Sequence, residues 1–252
     1  MKVLLITQAR IGSTRLPGKV LLPIGEETLL SVHLKRLRKC TTINQIVVAT
    51  TFEDNVESLL DICRKSEVDF YQGSLDDVLD RFYQASKEYQ PDWVVRVTSD
   101  CPLLDSRVVD QVVRKAIEND VDYCANTITE DFPDGQDVEV FKFSALERAW
   151  NEATLKSERE HVTPYIRMNS DSNGGNLFAA FDVKCYSNFN SIRMTVDEIA
   201  DYIAIQRMIE KLGINRKWED YVGYIIQHKD SIGNTNIIRN EGYQKSLTKD
   251  KK

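Results

Sequence analysis

Apolar residues along this chain come in two rhythms. Short, nearly unbroken runs at 3–7 (VLLIT), 43–51 (INQIVVATT), 68–73 (VDFYQG) and 93–98 (WVVRVT) have the length and β-branched content of buried strands. Segments 31–40, 56–67 and 106–120 instead space their apolar residues for one face of a helix, and Asp54 and Asn55 stand where the second of these needs a cap. Strand, helix, strand in this order is a βαβ unit, and its repetition builds an open α/β sheet. The stretch 73–85 opens on a turn with Ser74 placed to cap a further helix, whose Asp76 and Asp77 suit the positive end of the helix dipole.

Beyond a strand at 121–126 the pattern changes. A Pro-Asp-Gly turn at 133–135 leads into an alternating strand at 137–141 and an amphipathic helix from Ser144. A polar block at 157–169 follows, then a glycine turn and a strand at 176–181. A β-like stretch at 192–196 precedes a helix with Ile199, Tyr202, Ile203, Ile205, Met208, Ile209 and Leu212 at core spacing, closed by Gly213. An amphipathic helix at about 221–228 and a polar tail with a basic, fraying end complete the chain. No repeat or low-complexity linker interrupts it, so one α/β domain over 1–230 with a C-terminal tail over 231–252 is the economical division.

Composition narrows the setting. With 252 residues, 42% of them hydrophobic, the chain can bury a core in a single domain. No apolar stretch approaches the length that spans a bilayer, and the N-terminal run is too short for a signal-peptide core, so a cytoplasmic protein without a membrane partner is expected. Five scattered cysteines without a CxxC pair read as buried thiols. A net charge of -6 disfavours nucleic acid as a partner and makes any local cationic cluster conspicuous.

Such a cluster follows the first strand. Arg10, Gly12, Ser13, Thr14, Arg15, Gly18 and Lys19 combine cations, hydroxyl donors and glycines that let backbone N–H groups approach an anion, which is the chemistry of a phosphate site. The loop is neither GxxxxGK[ST] nor GxGxxG, and its bland alternative is a solvated basic surface. Two further strand ends deliver carboxylates. Ser99 and Asp100 follow 93–98, and Asp197 follows 192–196; one or two aspartates suffice for Mg²⁺, which takes its remaining ligands from substrate phosphates and water. Asp105 reads as a helix cap, His33 as a surface or packing residue, and Cys101 lacks an oriented histidine that would make it a nucleophile. Asp201, at i+4 from Asp197, reads as part of an exposed helical face.

The segment QARIGSTRLPGKVLLPI resembles the opening signature of the cytidylyltransferases that activate acidic sugars, above all the SpsF-like branch named for spore-coat polysaccharide biosynthesis. The blocks GSLDDVLDRF, RVTSDCPLLD, PDGQDVEV, SEREHVT and TVD resemble later motifs of the same family, and RNEGYQKS resembles the branch's tails. The resemblance implies a Rossmann-like GT-A nucleotidyltransferase fold, with a mixed, mostly parallel sheet and helices on both faces. It implies CMP transfer from CTP to a nonulosonic or ulosonic acid with Mg²⁺ as cofactor and pyrophosphate as product, in a homodimer. It also implies nucleotide contacts from Gln8, Ala9, Gly73, Ser74 and Arg81 beside the loop and Ser99, catalytic roles for Arg10, Lys19, Asp100 and Asp197, and a metal site at Asp100 and Asp197.

Region 130–185 is then the acceptor-binding and dimer-contact portion. Asp134, Gln136, Asp137, Glu139, Arg159, Glu160 and His161 are its polar candidates, with Arg193 beyond it as a further one. Several carry a structural alternative: Arg81 can pair with Asp77 at i,i+4, Glu160 and His161 can be a general base with its partner or a helix-starting ion pair, and Arg193 can reach a substrate anion or make a structural pair. A polyol phosphate or phosphonate acceptor is the nearest alternative function. A GT-A glycosyltransferase would show an Asp-x-Asp pair where only single aspartates stand, and a non-catalytic nucleotide-binding protein would have lost a metal carboxylate.

Overall fold

The computed structural model describes residues 1–228, 239 and 241–250. In chain order the strands are β1 (Val3–Gln8), β2 (Pro23–Ile24), β3 (Glu27–Thr28), β4 (Gln45–Thr51), β5 (Asp69–Gly73), β6 (Trp93–Thr98), β7 (Tyr123–Ala125), β8 (Glu139–Lys142) and β9 (Ala180–Asp182). The helices are α1 (Leu29–Leu37), α2 (Glu57–Lys65), α3 (Val78–Lys87), α4 (Ser106–Asn119), α5 (Phe143–Glu152), α6 (Lys156–His161), α7 (Pro164–Met168), α8 (Ile199–Leu212), α9 (Trp218–Gln227) and α10 (Glu241–Lys249).

The main sheet runs β5-β4-β1-β6-β8-β7-β9, and only β8 opposes the other strands. This is the mixed, mostly parallel sheet that the resemblance implies. Because side chains alternate across a strand, Val3 and Leu5 pack on one face with α1, α4, α8 and α9, while Leu4 and Ile6 pack on the other with α3, α5 and α7. The chain winds outward from β1 to β5 and then returns to β6 on the opposite side of β1. That reversal opens a crevice at the carboxyl ends of β1 and β6.

Several local expectations are corrected. Residues 192–196 form no strand: they run extended with a single bridge, Asp134 to Arg193, while Met194 and Val196 are buried. Gly135, at φ 104°, makes that contact possible, since a β-carbon there would lie 2.7 Å from the Met194 carbonyl carbon. Strand β9 takes only the end of the run at 176–181 and extends to Asp182. Helix α2 starts after Val56 with no side-chain cap from Asp54 or Asn55. On α8, Ile199 and Ile203 are exposed and Asp201 is buried, because that helix turns its acidic residue inward to meet Arg193. The tail does not simply fray, since α10 packs against α6. The boundary expected at 230 and 231 lies outside the described residues. Among the described residues no helix is long and apolar enough to cross a membrane.

Candidate active site

Two cavities meet in the crevice. The larger, about 760 Å³, is walled by the end of β1 and the loop after it, with Gln8, Ala9, Arg10, Ser13, Thr14, Arg15 and Lys19 on one side. Arg81, Ser99 and Asp100 close another side. The smaller, about 240 Å³, lies beyond Asp100 and Asp197, which border both cavities. It is lined by Asp134, Asp137, Glu139, His161 and Arg193.

The first loop is folded by its own glycines and by a residue that the sequence did not reveal. Gly18, at φ 68°, starts a short 3-10 turn that carries Lys19 inward. Glu53 accepts from the Ile11 and Gly12 N–H groups at 3.1 and 3.0 Å and from the Thr51 hydroxyl at 2.5 Å, so Gly12 serves this tether and does not line the larger cavity. Gly73 likewise lies outside the cavity wall, packed against Arg81, and Ser74 accepts from the Asp77 N–H at 3.0 Å.

Arg81 is buried and donates to the Ser74 carbonyl at 2.7 Å. Its pairing with Asp77 does not form: Asp77 caps α3 and is held instead by Arg159, with nitrogen to oxygen distances down to 2.6 Å. Burial, together with the nearby Arg10, lowers the Arg81 pKa to about 10. A desolvated cation on a cavity wall, with no carboxylate in ion-pair contact among the described residues and only Glu53 acting on it from further off, suits an anionic ligand.

The centre of the site is the meeting of Lys19 with two aspartates. Lys19 Nζ donates to Asp100 Oδ2 at 2.9 Å, to Asp197 Oδ1 at 3.1 Å and to the Val196 carbonyl at 2.8 Å. Burial opposes the ammonium, but Asp100 and Asp197 together outweigh it and raise the Lys19 pKa. Burial also opposes the charge on Asp100, and the Lys19 ammonium with the Thr98 hydroxyl overcomes it, holding that carboxyl below the usual range. Among the described residues no group of three or more His, Cys, Asp or Glu forms a metal cage. Two carboxylates that converge on one cation nevertheless fit Mg²⁺, a hard ion that completes its shell with phosphate and water.

Asp197 is positioned by a network of charges. Arg193 donates to Asp134 at 2.5 Å, to Asp197 at 2.9 Å and to both oxygens of Asp201 at 2.9 and 3.1 Å. Asp201 in turn accepts from the Asp197 and Glu198 N–H groups at 2.9 and 3.0 Å. Arg193 is thus the clamp of the Asp197 turn, with each terminal nitrogen committed to a carboxylate. Arg15 adds a contact to Asp197 at 2.7 Å and one to Glu241 on α10 at 3.3 Å.

In the smaller cavity Glu139 accepts from Arg96 at 2.5 Å and from the Tyr123 hydroxyl at 2.6 Å. Asp137 is paired with Arg239, yet burial is the larger influence and raises its pKa to about 7. Gln136 is fully buried and ties the Asp105 N–H to the Leu103 carbonyl, a structural part. Glu160 and His161 do not pair with each other as base and partner. Ser246 of α10 stands between them, donating to Glu160 at 2.7 Å and accepting from His161 Nε2 at 3.0 Å, and burial lowers the His161 pKa to about 4.

Of the two readings open for His33, surface or packing, the structure takes packing, since the ring is fully buried. Its Nδ1–H donates to the Cys101 carbonyl and Nε2 accepts from the Thr7 hydroxyl, both at 2.9 Å, which fixes the loop after Asp100 against β1. Asp105 caps α4 through the Arg107 N–H at 2.9 Å. Arg159, expected beside the acceptor, instead holds Asp77 and lines the larger cavity, and the residues missed were Glu53, Arg96, Arg167 and Tyr243. Only Arg96 left a trace, as a lone charge inside the apolar run WVVRVT.

Comparison with known proteins agrees with this geometry. The chain is 38% identical over 250 residues to an uncharacterized protein of Methanocaldococcus jannaschii, covering 97% of this chain and 98% of that protein. It is 31% identical over 218 residues to the spore coat polysaccharide biosynthesis protein SpsF of Bacillus subtilis, covering 84% and 88%. The structure of a cytidylyltransferase from Leptospira borgpetersenii superposes with a TM-score of 0.87 at 33% identity, covering 95% of this chain and 100% of that one. Residues 4–208 match the family described as Cytidylyltransferase, and with the loop, the two converging aspartates and these relatives in agreement, the chain belongs to the cytidylyltransferase family.

Proposed function

We propose that this cytidylyltransferase transfers CMP from CTP to an acidic sugar, with release of pyrophosphate, in the synthesis of a surface glycan. The observation that carries the reading is the junction of the two cavities at Asp100 and Asp197: a nucleotide in the larger one and an acceptor in the smaller one would meet there. The spore coat polysaccharide role named for the Bacillus subtilis relative supports a glycan product.

In this reaction an acceptor oxygen attacks the α-phosphorus of CTP in line and the pyrophosphate oxygen leaves, so negative charge grows on the phosphate oxygens. Arg10, Arg15 and Lys19 face the larger cavity and supply fixed positive charge to them. Asp100 and Asp197 would hold Mg²⁺, which contributes Lewis-acid stabilisation of the phosphate. Arg193, Asp134 and Asp201 keep Asp197 in place while Lys19 exchanges its carboxylate contacts for phosphate. Asp137 and Glu139 line the acceptor side. The homodimer belongs to the same reading, and sedimentation of the purified chain checks it.

The test is pyrophosphate release in Mg²⁺ with each of the four ribonucleoside triphosphates, against 2-keto-3-deoxy sugar acids and, separately, polyol phosphates and phosphonates. Release with CTP and one sugar acid, lost in Asp100→Asn, is the expected result. Release only with a phosphorylated polyol or a phosphonate would replace the acidic sugar with that class.

A further inference from the structure

The smaller cavity presents a charge puzzle. Its wall carries several carboxylates, which repel an anionic acceptor, yet each of these is paired with a cation: Glu139 with Arg96, Asp137 with Arg239, Asp134 with Arg193 and Asp100 with Lys19. Arg167 breaks the pattern. It lines the same cavity, and among the described residues no carboxylate lies within ion-pair distance of it.

Arg167 is also held still. It lies in the last turn of the short helix α7, and its carbonyl accepts from the Ser170 hydroxyl at 2.7 Å and from the Asn173 amide at 2.9 Å. Its guanidinium carbon lies 5.2 Å from the centre of the Tyr243 ring, which α10 brings to the cavity wall. The ring steadies the cation by its π face without neutralising it. Burial opposes the charge, and the Tyr243 side chain and the more distant Glu139 sustain it. With no carboxylate in ion-pair contact among the described residues, the planar fork keeps paired N–H donors that fit a carboxylate or phosphate.

We propose that Arg167, braced by Tyr243, receives the anionic group of the acceptor and sets the preference for charged over neutral acceptors. This rests on reading the smaller cavity as the acceptor site. Arg193, with its donors committed to Asp134, Asp197 and Asp201, takes no part in that contact.

The experiment measures steady-state pyrophosphate release from CTP with the full chain, using 2-keto-3-deoxy sugar acids, their C1 amides, and polyol phosphates as acceptors. For whichever anionic acceptor the wild type uses, Arg167→Gln should raise the acceptor KM at least about tenfold, the scale of a lost charged hydrogen bond, and leave the CTP KM unchanged. Arg167→Lys should recover part of that loss, and the wild type's preference for the acid over its amide should vanish in Arg167→Gln. An unchanged acceptor KM, or an acid-to-amide preference that survives the substitution, overturns the proposal. A wild type active only with polyol phosphates would overturn the acidic-sugar reading, while the Arg167 variants measured on that phosphate still decide this one. Activity confined to neutral acceptors would overturn both.

Discussion

Replacing Arg193 with glutamine is the most informative single change in this protein. The guanidinium is 12% exposed and makes hydrogen bonds to Asp134, Asp197 and Asp201, whose side chains are 14%, 18% and 2% exposed. Glutamine keeps much of the volume and removes the charge, leaving three carboxylates that repel one another in a region poor in water. Breaking one buried ion pair costs about 3–5 kcal/mol, and Lys19 and Arg15 still offset part of the charge on Asp197, so we expect a loss of about 3 kcal/mol. For a chain of this size that corresponds to a fall in Tm of roughly 6–12 °C. Urea unfolding at neutral pH measures the loss directly. Repeating it near pH 4 should show a smaller deficit, since the stranded carboxylates can then take up protons. A stability within about 1 kcal/mol of wild type, combined with a large rise in acceptor KM, would refute the clamp and make Arg193 a ligand for the acceptor.

Three other outcomes follow from the same geometry. Asp100→Asn should slow CTP turnover at saturating Mg²⁺ by about a hundredfold or more, and near-normal turnover would remove that residue from the reaction centre. His33 is held neutral because burial lowers its pKa from 6.5 to about 4. Its folded pKa is depressed, so the stability it supports is complete above pH 6.5 and is lost as the pH falls through about 4, a span worth about 3 kcal/mol. Unfolding measured across that window should be less steep in pH for His33→Gln, and equal slopes would contradict the assignment. Glu53→Ala should free the Ile11 and Gly12 amides and raise the CTP KM about tenfold, read from initial rates; an unaltered KM would mean that the loop keeps its shape without the tether.

Much of the architecture was legible because its causes are local. An apolar run such as VLLIT has to be covered on both sides, and a basic, glycine-bearing loop directly after it marks a strand end where ligands gather. The cap at Asp105, the helix end at Gly213 and the strand-end aspartate at 100 are read within a few residues of chain. Other readings failed where a distant partner decided the outcome. Spacing put Ile199 and Ile203 in the core and Asp201 outside, but Arg193 needs Asp201, and α8 is oriented to supply it. The same spacing made 192–196 a strand, whereas the turn at Gly135 takes it as an isolated bridge.

By itself, then, the sequence determined the alternation of strands and helices, the basic, glycine-bearing loop and the two aspartates that follow apolar runs, because each depends on neighbours along the chain. Only the tertiary structure decided which charge meets which. Lys19 reaches Asp197 across 178 residues, Arg15 reaches Glu241 across 226, and Arg167 has no carboxylate in ion-pair contact among the described residues because the fold pairs Arg15, Arg96 and Arg193 of the same cavity with carboxylates of their own. Electrostatic partnership depends on distance in space, and no local pattern encodes the folding that brings such residues within 3 or 4 Å, roughly the reach of an ion pair.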